Sequence, residues 1–597
     1  MAAYVWLTLN LLVAYTAAIW PIPSSYSSGD SVLWIDNSVR ITYNGAQVQP
    51  SSLGGNTLDM QILNAIMIQG AGYGSQGING TSASQAIINT AISDTLDTLF
   101  NKNFVPWKFH PRNSNYQPPS NGSGIYIKTV TLRQNGIDSS NITKPLDGSL
   151  DESYTLTVTE EGEVTVTGAS AIGLAYGLNT FTQLFYKHTD GGVYTSLAPV
   201  QITDAPKFVH RGLNMDVARS YYAPSDILRT IDALAYNKFN RLHVHVTDSQ
   251  SWPLEIPALP ELARKGAYEV GLSYSPATVR QIQEYGALRG VEVYLEIDMP
   301  GHTSSIAFSH PELIAAFNVQ PNWDTYAAEP PSGTLKLNSS AVSTFLHTLF
   351  DDLLPRIAPY TAYFHTGGDE VNVNAYNLDD TVRSNDTAVL QPLMQAFVDR
   401  NHDQVRAAGL TPIVWEEMLL TWNLTLGSDV VVQTWQSDEA VAQTVSQGHK
   451  ALAGNYNYWY LDCGKGQWLD FYPGTSSENF WPYADYCSPR KNWRLMYSYD
   501  PLQGVPANAT HLVLGGEAHI WSEQTDPVNL DTMVWPRACA AGEVLWSGAK
   551  DASGQNRSQV TASPRLGEMR ERLVARGVRA EPIQMPFCTQ NGTQCAL

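Results

Sequence analysis

Two adjacent carboxylates, Asp369 and Glu370, close the stretch Tyr363-Phe364-His365-Thr366-Gly367-Gly368-Asp369-Glu370-Val371-Asn372. It begins as an apolar strand and breaks at a glycine pair, where backbone can approach a ligand closely. A neighbouring carboxylate or a dry wall can hold one of two acids protonated, and a protonated acid is what leaving-group catalysis needs. Alone, Asp-Glu after a turn is an ordinary solvated pair, so the elements around it must decide.

Those elements repeat as strand, loop and helix after Pro206. Eight short apolar runs are expected as strands: Gly212 to Val217, Arg241 to Val246, Glu292 to Ile297, Ala362 to His365, Pro412 to Trp415, Val430 to Trp435, Ala451 to Asn455 and Leu512 to Gly516. Helical patterns lie between them. Pro224 to Tyr236 puts Ile227, Ile231 and Leu234 on one face, and Ser275 caps a helix that starts at Pro276. The expected fold is α/β, a (β/α)8 barrel with long loops, preceded by a small α+β domain.

A barrel presents its site at the carboxyl ends of its strands. Those ends carry Asp216 and Arg219; His245 and Asp248; Asp298 and His302; Asp369 and Glu370; Trp415, Glu416 and Glu417; Trp435; Tyr460 and Asp462; Glu517, Trp521 and Glu523. A purely structural barrel has no need of acids, imidazoles and indoles at nearly every exit. Glycoside hydrolysis uses such a set, with Trp walls for the sugar ring and a carboxyl of raised pKa for the leaving oxygen. A metal-dependent hydrolase would use His243 and His245, two apart on one strand face, with His302, His365 or His519. A non-catalytic lectin would use the aromatics alone.

Composition narrows the partners. The chain has 597 residues, 43% hydrophobic and 10% aromatic, which suffices for a large core and more than one domain. A net charge of -20, from 36 basic and 56 acidic residues, disfavours nucleic acid and anionic membranes and leaves a neutral substrate. Sixteen Trp and thirty Tyr supply flat faces with polar tips that suit sugars. Residues 1–18 read as a signal peptide, and no later apolar run is long enough to span a membrane. Sequons at Asn79, Asn121, Asn141, Asn338, Asn385, Asn423, Asn508, Asn556 and Asn591 also point to a secreted, extracellular glycoprotein. Proximity pairs Cys463 with Cys487 and Cys588 with Cys595 and leaves Cys539 as a buried thiol. Ahead of the barrel, residues 19 to about 100 are rich in Ser, Gly, Asn and Thr, with one helical segment from Ser84 to Phe100. Strand runs at Ile125 to Leu132, Ser153 to Val158 and Glu163 to Thr167 and a helix from Ala169 make the α+β domain, given the bounds 102–205, with the barrel and tail at 206–597.

The stretch His365-Thr366-Gly367-Gly368-Asp369-Glu370-Val371 resembles the signature of glycoside hydrolase family 20, the β-N-acetylhexosaminidases. The resemblance extends in order through His210-Arg211-Gly212 with Asp216, Asn237-Lys238-Phe239-Asn240, His243 to Asp248, Glu296 to His302, Val414 to Glu417 and Gly515 to Glu523. It implies a secreted, exo-acting enzyme that needs no cofactor or metal and removes terminal β-linked N-acetylglucosamine, and N-acetylgalactosamine, from chitin oligomers and glycans. The implied mechanism retains configuration, with the substrate's 2-acetamido oxygen as nucleophile and an oxazolinium intermediate. Glu370 is then the acid and base, and Asp369 holds the acetamide. By matching position Tyr460 donates to the acetamido carbonyl, and Trp415, Trp435 and Trp521 wall its pocket. Arg211, Asp462 and Glu523 bind sugar hydroxyls, and Trp493 stacks on a ring. Asp248, Asp298 and His302 form the supporting network, with Ser249 where many relatives have a second Asp. The resemblance also implies a homodimer and, from fungal relatives, a propeptide over 19–101, retained or removed. A Gly-Gly break must re-aim at least one of the two acids, since neighbours on a regular strand point oppositely.

Overall fold

The computed structural model describes residues 18–48, 81–120, 124–146, 148–470 and 484–595. The expected signal peptide lies, except for its last residue, outside the described residues. So do the sequons Asn79 and Asn121.

All eight expected barrel strands form, and they close in sequence order with every pair parallel. Seven strands precede them, so they are β8 (His210–Asp216), β9 (Arg241–Thr247), β10 (Glu292–Ile297), β11 (Tyr363–His365), β12 (Thr411–Trp415), β13 (Val431–Thr434), β14 (Lys450–Ala453) and β15 (Val513–Ile520). The two-residue period of a strand sorts their side chains. Leu295, Phe364, Val414 and Val432 point outward into the large core beneath the helices. Tyr294, Tyr363, Ile413 and Val431 point inward and, with Leu452 and Leu514, fill the lower barrel. Two residues further along β10, β11 and β13 the interior turns polar, with Glu296, His365 and Gln433 all buried. On β12 that position is Trp415, which meets Tyr460 and Trp521, joined by Trp435 at the mouth. The barrel therefore grades from an apolar floor through a buried polar layer to an aromatic mouth. The expected helix caps form as well: the Ser275 side chain accepts the Thr278 N–H at the head of Pro276–Ala287.

The amino-terminal domain is larger than the bounds 102–205. Its sheet has β1 (Ser25–Tyr43), β2 (Ala46–Val48), β3 (Ile125–Gln134), β4 (Tyr154–Val158), β5 (Glu163–Gly168), β6 (Tyr186–Lys187) and β7 (Val193–Asp204). β1 pairs with β3 in parallel along its second half and with β7 antiparallel along its first. Trp20 is fully buried and donates its indole N–H to the Cys539 carbonyl of the barrel domain. The helix Thr81–Phe100 packs on Ala171–Thr182. The boundary at 102 is thus corrected. Residues 19–48 and 81–101 are built into the domain, because the apolar positions Leu33, Ile35 and Ile41 need the sheet's core and the helix supplies part of its cover.

The domains are joined by buried charge. Arg211 forms a two-pronged pair with Glu152, at 2.6 and 3.0 Å, and Lys238 bonds Asp204 at 3.0 Å. The Trp546 ring lies against both cations, at 4.9 Å from Arg211 and 4.5 Å from Lys238. Both disulfides form as paired above, and Cys539 is buried and free. Among the described residues no helix is long and apolar enough to cross a membrane.

Candidate active site

β11 ends at His365, and the backbone then leaves the strand. Gly367 has φ +70° and Gly368 φ +114°, and Glu370 itself stands at φ +51°. A Cβ on Gly367 would lie 1.8 Å from Asp298 Oδ1, so this glycine is required both for its conformation and for close approach. The break does re-aim the acids. Asp369 turns inward with 9% exposure, and Glu370 reaches the open mouth with its side chain about one third exposed.

Each acid has its own neighbour. Asp298, at the end of β10, accepts the Gly368 N–H at 2.7 Å and faces Asp369 within hydrogen-bonding reach. Burial pushes both carboxyls upward, and their mutual repulsion adds to the shift of Asp298, which is the deeper and holds the shared proton. Apart from the Asp298 carboxyl, Asp369 Oδ1 has no hydrogen-bond partner among the described residues. His302 puts Nε2 3.4 Å from Glu370 Oε2 and Nδ1 3.2 Å from Asp248 Oδ1. His302 also stands at a positive φ, +53°, so both partners of the Glu370 contact sit in strained backbone of the kind found at functional sites. Burial alone would discharge His302, but Asp248, Asp298 and Asp369 around it raise its pKa well above the ordinary value. Asp248 is driven far down despite burial by Arg219, with His302 and His245 adding to it. The Ser249 N–H caps Asp248, so the network rests on Asp248 without a second acid at position 249.

Opposite the acids stands an aromatic box. Trp435 and Tyr460 are nearly parallel with centroids 6.1 Å apart, while Trp521 lies 6.1 Å from Trp415 and 6.2 Å from Tyr460. The indole N–H of Trp415 donates to Glu296 at 2.7 Å, and that of Trp435 donates to Glu417 at 3.1 Å. Asp462 and Glu523 flank the box with carboxyls raised by burial, Asp462 to about 7 and Glu523 well above the carboxylate range.

Several sequence assignments move. Arg211 is the second residue of β8, at the end away from the mouth, and its guanidinium is spent on Glu152, Tyr176 and the carbonyls of Phe208 and Lys238. It is a domain-joining residue. Arg219, just past the other end of β8, is the mouth's cation, pairing with Asp248 at 3.0 Å and with Glu329, and lying 5.3 Å from the Trp521 ring. Trp493 is also displaced. It begins the short helix Trp493–Ser498, buried in the outer core against Tyr497 rather than in the box. Glu517 lies deep in the barrel, fully buried, and accepts from His210 at 2.7 Å and Tyr294 at 2.6 Å. Asp369, Glu370, Asp298, His302, Asp248, Trp415, Trp435, Tyr460, Trp521, Asp462 and Glu523 are brought together as expected.

Two residues of the mouth had no role in the sequence reading. Arg219 was visible at a strand exit, three places after Asp216. Glu329 lies in the long loop after β10, and nothing in its spacing marks it.

His243 and His245, the pair a metal site would use, are each bracketed by carboxylates. His243 lies 3.0 Å from Glu517 and 2.9 Å from Glu296, and His245 lies 2.7 Å from Glu296 and 2.7 Å from Asp248. The triples His243, Glu296, His365 and Asp248, His302, Glu329 are close enough in space to ligate an ion. Both nitrogens of His243 and of His302 face carboxylates and His365 Nδ1 accepts the Gly367 N–H, while His243 Nε2 and His365 Nε2 make no hydrogen bond among the described residues; the set fits a charge network better than an ion site.

Comparison with known proteins agrees with this geometry. Residues 208–549 match the model of the glycosyl hydrolase family 20 catalytic domain, and residues 19–184 match a domain described as beta-acetyl hexosaminidase like. A beta-hexosaminidase of Arthroderma benhamiae is 43% identical, covering 97% of each chain. A chitooligosaccharidolytic beta-N-acetylglucosaminidase of Ostrinia furnacalis is 32% identical over 75% of each. Among solved structures, a family 20 exo beta-N-acetylglucosaminidase of Vibrio harveyi superposes with a TM-score of 0.68 at 20% identity, covering 96% of this chain and 79% of its own. With the mouth residues and the whole-chain match in agreement, this chain belongs to glycosyl hydrolase family 20.

Proposed function

We propose that the protein is a secreted exo-β-N-acetylhexosaminidase that removes terminal β-linked N-acetylglucosamine, and N-acetylgalactosamine, from chitin oligomers and glycans. One observation supports the mechanism: a buried Asp369 carboxyl, backed by the protonated Asp298, stands beside an open-facing Glu370, with a four-ring box across from both. Two adjacent carboxyls suit a reaction in which neither is the nucleophile. The 2-acetamido oxygen attacks C1, the glycosidic bond breaks, and its oxygen takes the proton of Glu370. Asp369 accepts the acetamide N–H, which aligns the attacking oxygen and offsets the positive charge that develops on the oxazolinium ring. Glu370, now a carboxylate, takes a proton from water as the water opens that ring, and configuration at C1 is retained.

Tyr460 donates to the acetamido oxygen, Trp415, Trp435 and Trp521 enclose its methyl group, and Arg219, Asp462 and Glu523 bind the sugar hydroxyls. Of the seven described sequons all but Asn591 carry an exposed Asn, which favours the secreted reading. Residues 19–48 and 81–101 are taken as part of the mature fold, and a homodimer as its assembly; intact mass and light scattering of the secreted protein test these two.

Glu370→Gln tests the acid. It abolishes hydrolysis of aryl β-N-acetylglucosaminides with poor leaving groups while circular dichroism is unchanged; wild-type turnover in this variant sinks the assignment. Chelator present during the same assay leaves the rate unchanged, and loss of activity restored by a divalent metal would favour the histidine-metal chemistry instead.

A further inference from the structure

Beneath the site the barrel holds more charge than the reaction uses. We infer that the buried chain Glu517, His243, Glu296, His245, Asp248, His302 is one positioning device for Glu370, with Glu296 as its central positioning residue. Carboxylates and imidazoles alternate along it, and each link is at contact distance: 3.0 Å, 2.9 Å, 2.7 Å, 2.7 Å and 3.2 Å in that order, then 3.4 Å to Glu370. The first five of these groups are at most 1% exposed.

Alternation makes the chain self-consistent. A buried carboxylate is tolerated where donors fill its lone pairs, and a buried imidazolium where carboxylates flank it. Glu517 accepts from His210, Tyr294, His243 and Gln433. Glu296 has His243, His245 and the Trp415 indole, while His365 spends Nδ1 on the Gly367 N–H and is pushed down by burial to the neutral form. The flanking acids hold His245 up at about 10 and raise His243, and the histidines in turn pull Glu296 and Glu517 well below the ordinary carboxylate range.

Glu296 stands at the branch. One oxygen anchors Trp415, a wall of the box, and the other anchors His245, which leads through Asp248 to His302. The same carboxylate therefore fixes the ring that encloses the acetamide and the charge presented to the acid. The other groups facing His302 and Glu370 come from separate elements: Arg219 after β8, Asp298 after β10, Glu329 in the following loop, Asp369 after β11, and Tyr486 beside the Cys463–Cys487 bridge. None of these touches Glu296 by hydrogen bond, so a change at Glu296 reaches Glu370 through the chain and through space.

The sign is fixed by electrostatics. Removing the charge of Glu296 makes every nearby group release its proton more easily, so the alkaline limb of kcat moves to lower pH, by about half to one unit. The inference rests on Glu370 being the acid, and the test separates the two. The kcat–pH profile is measured for the wild type and for Glu296→Gln, Glu296→Asp, Glu517→Gln and Glu370→Gln on an aryl β-N-acetylglucosaminide. Expected are a lowered alkaline limb in Glu296→Gln, a smaller shift in the same sense in Glu517→Gln, and return of the limb to its wild-type position in Glu296→Asp even where kcat is reduced. A limb that stays in place in both glutamine variants while kcat falls shows a merely structural role and overturns the inference. Turnover that survives Glu370→Gln overturns the acid assignment instead. Should Glu296→Gln not fold, Glu517→Gln decides, together with the wild type's proton spectrum, where imidazolium N–H signals far downfield of the amides are expected at neutral pH and their absence contradicts the chain.

Discussion

Replacing Arg211 with Met separates its place in the structure from the place its motif suggested. Arg211 is fully buried, paired twice to a Glu152 side chain that is itself 5% exposed, and it also donates to two backbone carbonyls and to Tyr176. Met keeps the apolar stem against Trp546 but strands the Glu152 carboxylate and the two carbonyls. Leaving one partner of a buried ion pair uncompensated costs about 3–5 kcal/mol. Against a typical stability of roughly 5–15 kcal/mol this is a large share. The assay is urea unfolding followed by tryptophan fluorescence, read at the first transition, since two domains do not unfold as a single unit. That transition moves to lower urea, while KM of the enzyme that remains folded changes by less than about twofold, since a residue that never meets the sugar takes no binding energy with it when it is lost. Arg211→Met with Glu152→Leu recovers most of the loss, because both charges then leave together. Unchanged unfolding together with a KM raised tenfold would refute the reasoning and return Arg211 to the sugar site.

Other consequences test the mouth. Arg219→Met is expected to lower kcat/KM about a hundredfold, the worth of charged hydrogen bonds to a bound sugar, and also to move unfolding to lower urea, because it leaves the buried Asp248, and Glu329, without their cation. Gly367→Ala forces a Cβ into Asp298 and an unfavourable φ on alanine, so kcat falls about a hundredfold through displacement of Asp369, with the circular dichroism spectrum retained. Asp462 titrates near 7 in the folded protein because burial disfavours its charge, well above its unfolded value. Its contribution to stability is therefore fully present below about pH 4 and is lost as pH rises toward 7. Asp462→Asn flattens that fall in the unfolding midpoint between pH 4 and 7, and an unchanged slope counts against the shift. Opening the Cys463–Cys487 bridge with Ser at both positions releases a loop of 24 residues, worth about 3 kcal/mol. Because Asp462 and Tyr486 adjoin its two ends, KM rises in a direct kinetic assay.

The barrel was legible because its strands are short apolar runs bounded by turn signals, and because each exit carried a polar or aromatic residue. Asp369 and Glu370 could be found from Gly-Gly together with the polar strand exits and the ordered motif, since a break in the strand could aim both acids at one mouth. What periodicity could not show was which end of β8 an arginine occupies in three dimensions. Arg211 and Arg219 bracket the same strand, and the ordered motif drew attention to the wrong one. Residues 19–48 misled through composition, because a long strand in the middle of a sheet can be rich in Ser and Asn on its exposed face. Trp493 misled through type, since a buried outer-core indole and a sugar platform have the same letter. Glu329 and the inward aim of Glu517 depend on loop path and barrel register, which no local pattern encodes.

The central claim is that the nucleophile belongs to the substrate, and its most direct test varies that nucleophile alone. Rates are measured on aryl β-glucosaminides whose 2-acetamido methyl carries zero, one, two or three fluorines. Each fluorine weakens the amide oxygen and leaves the glycosidic bond untouched, so the account predicts kcat/KM falling steeply and log-linearly along the series. Equal rates across the four substrates would contradict it and assign the attack on C1 to a group of the protein.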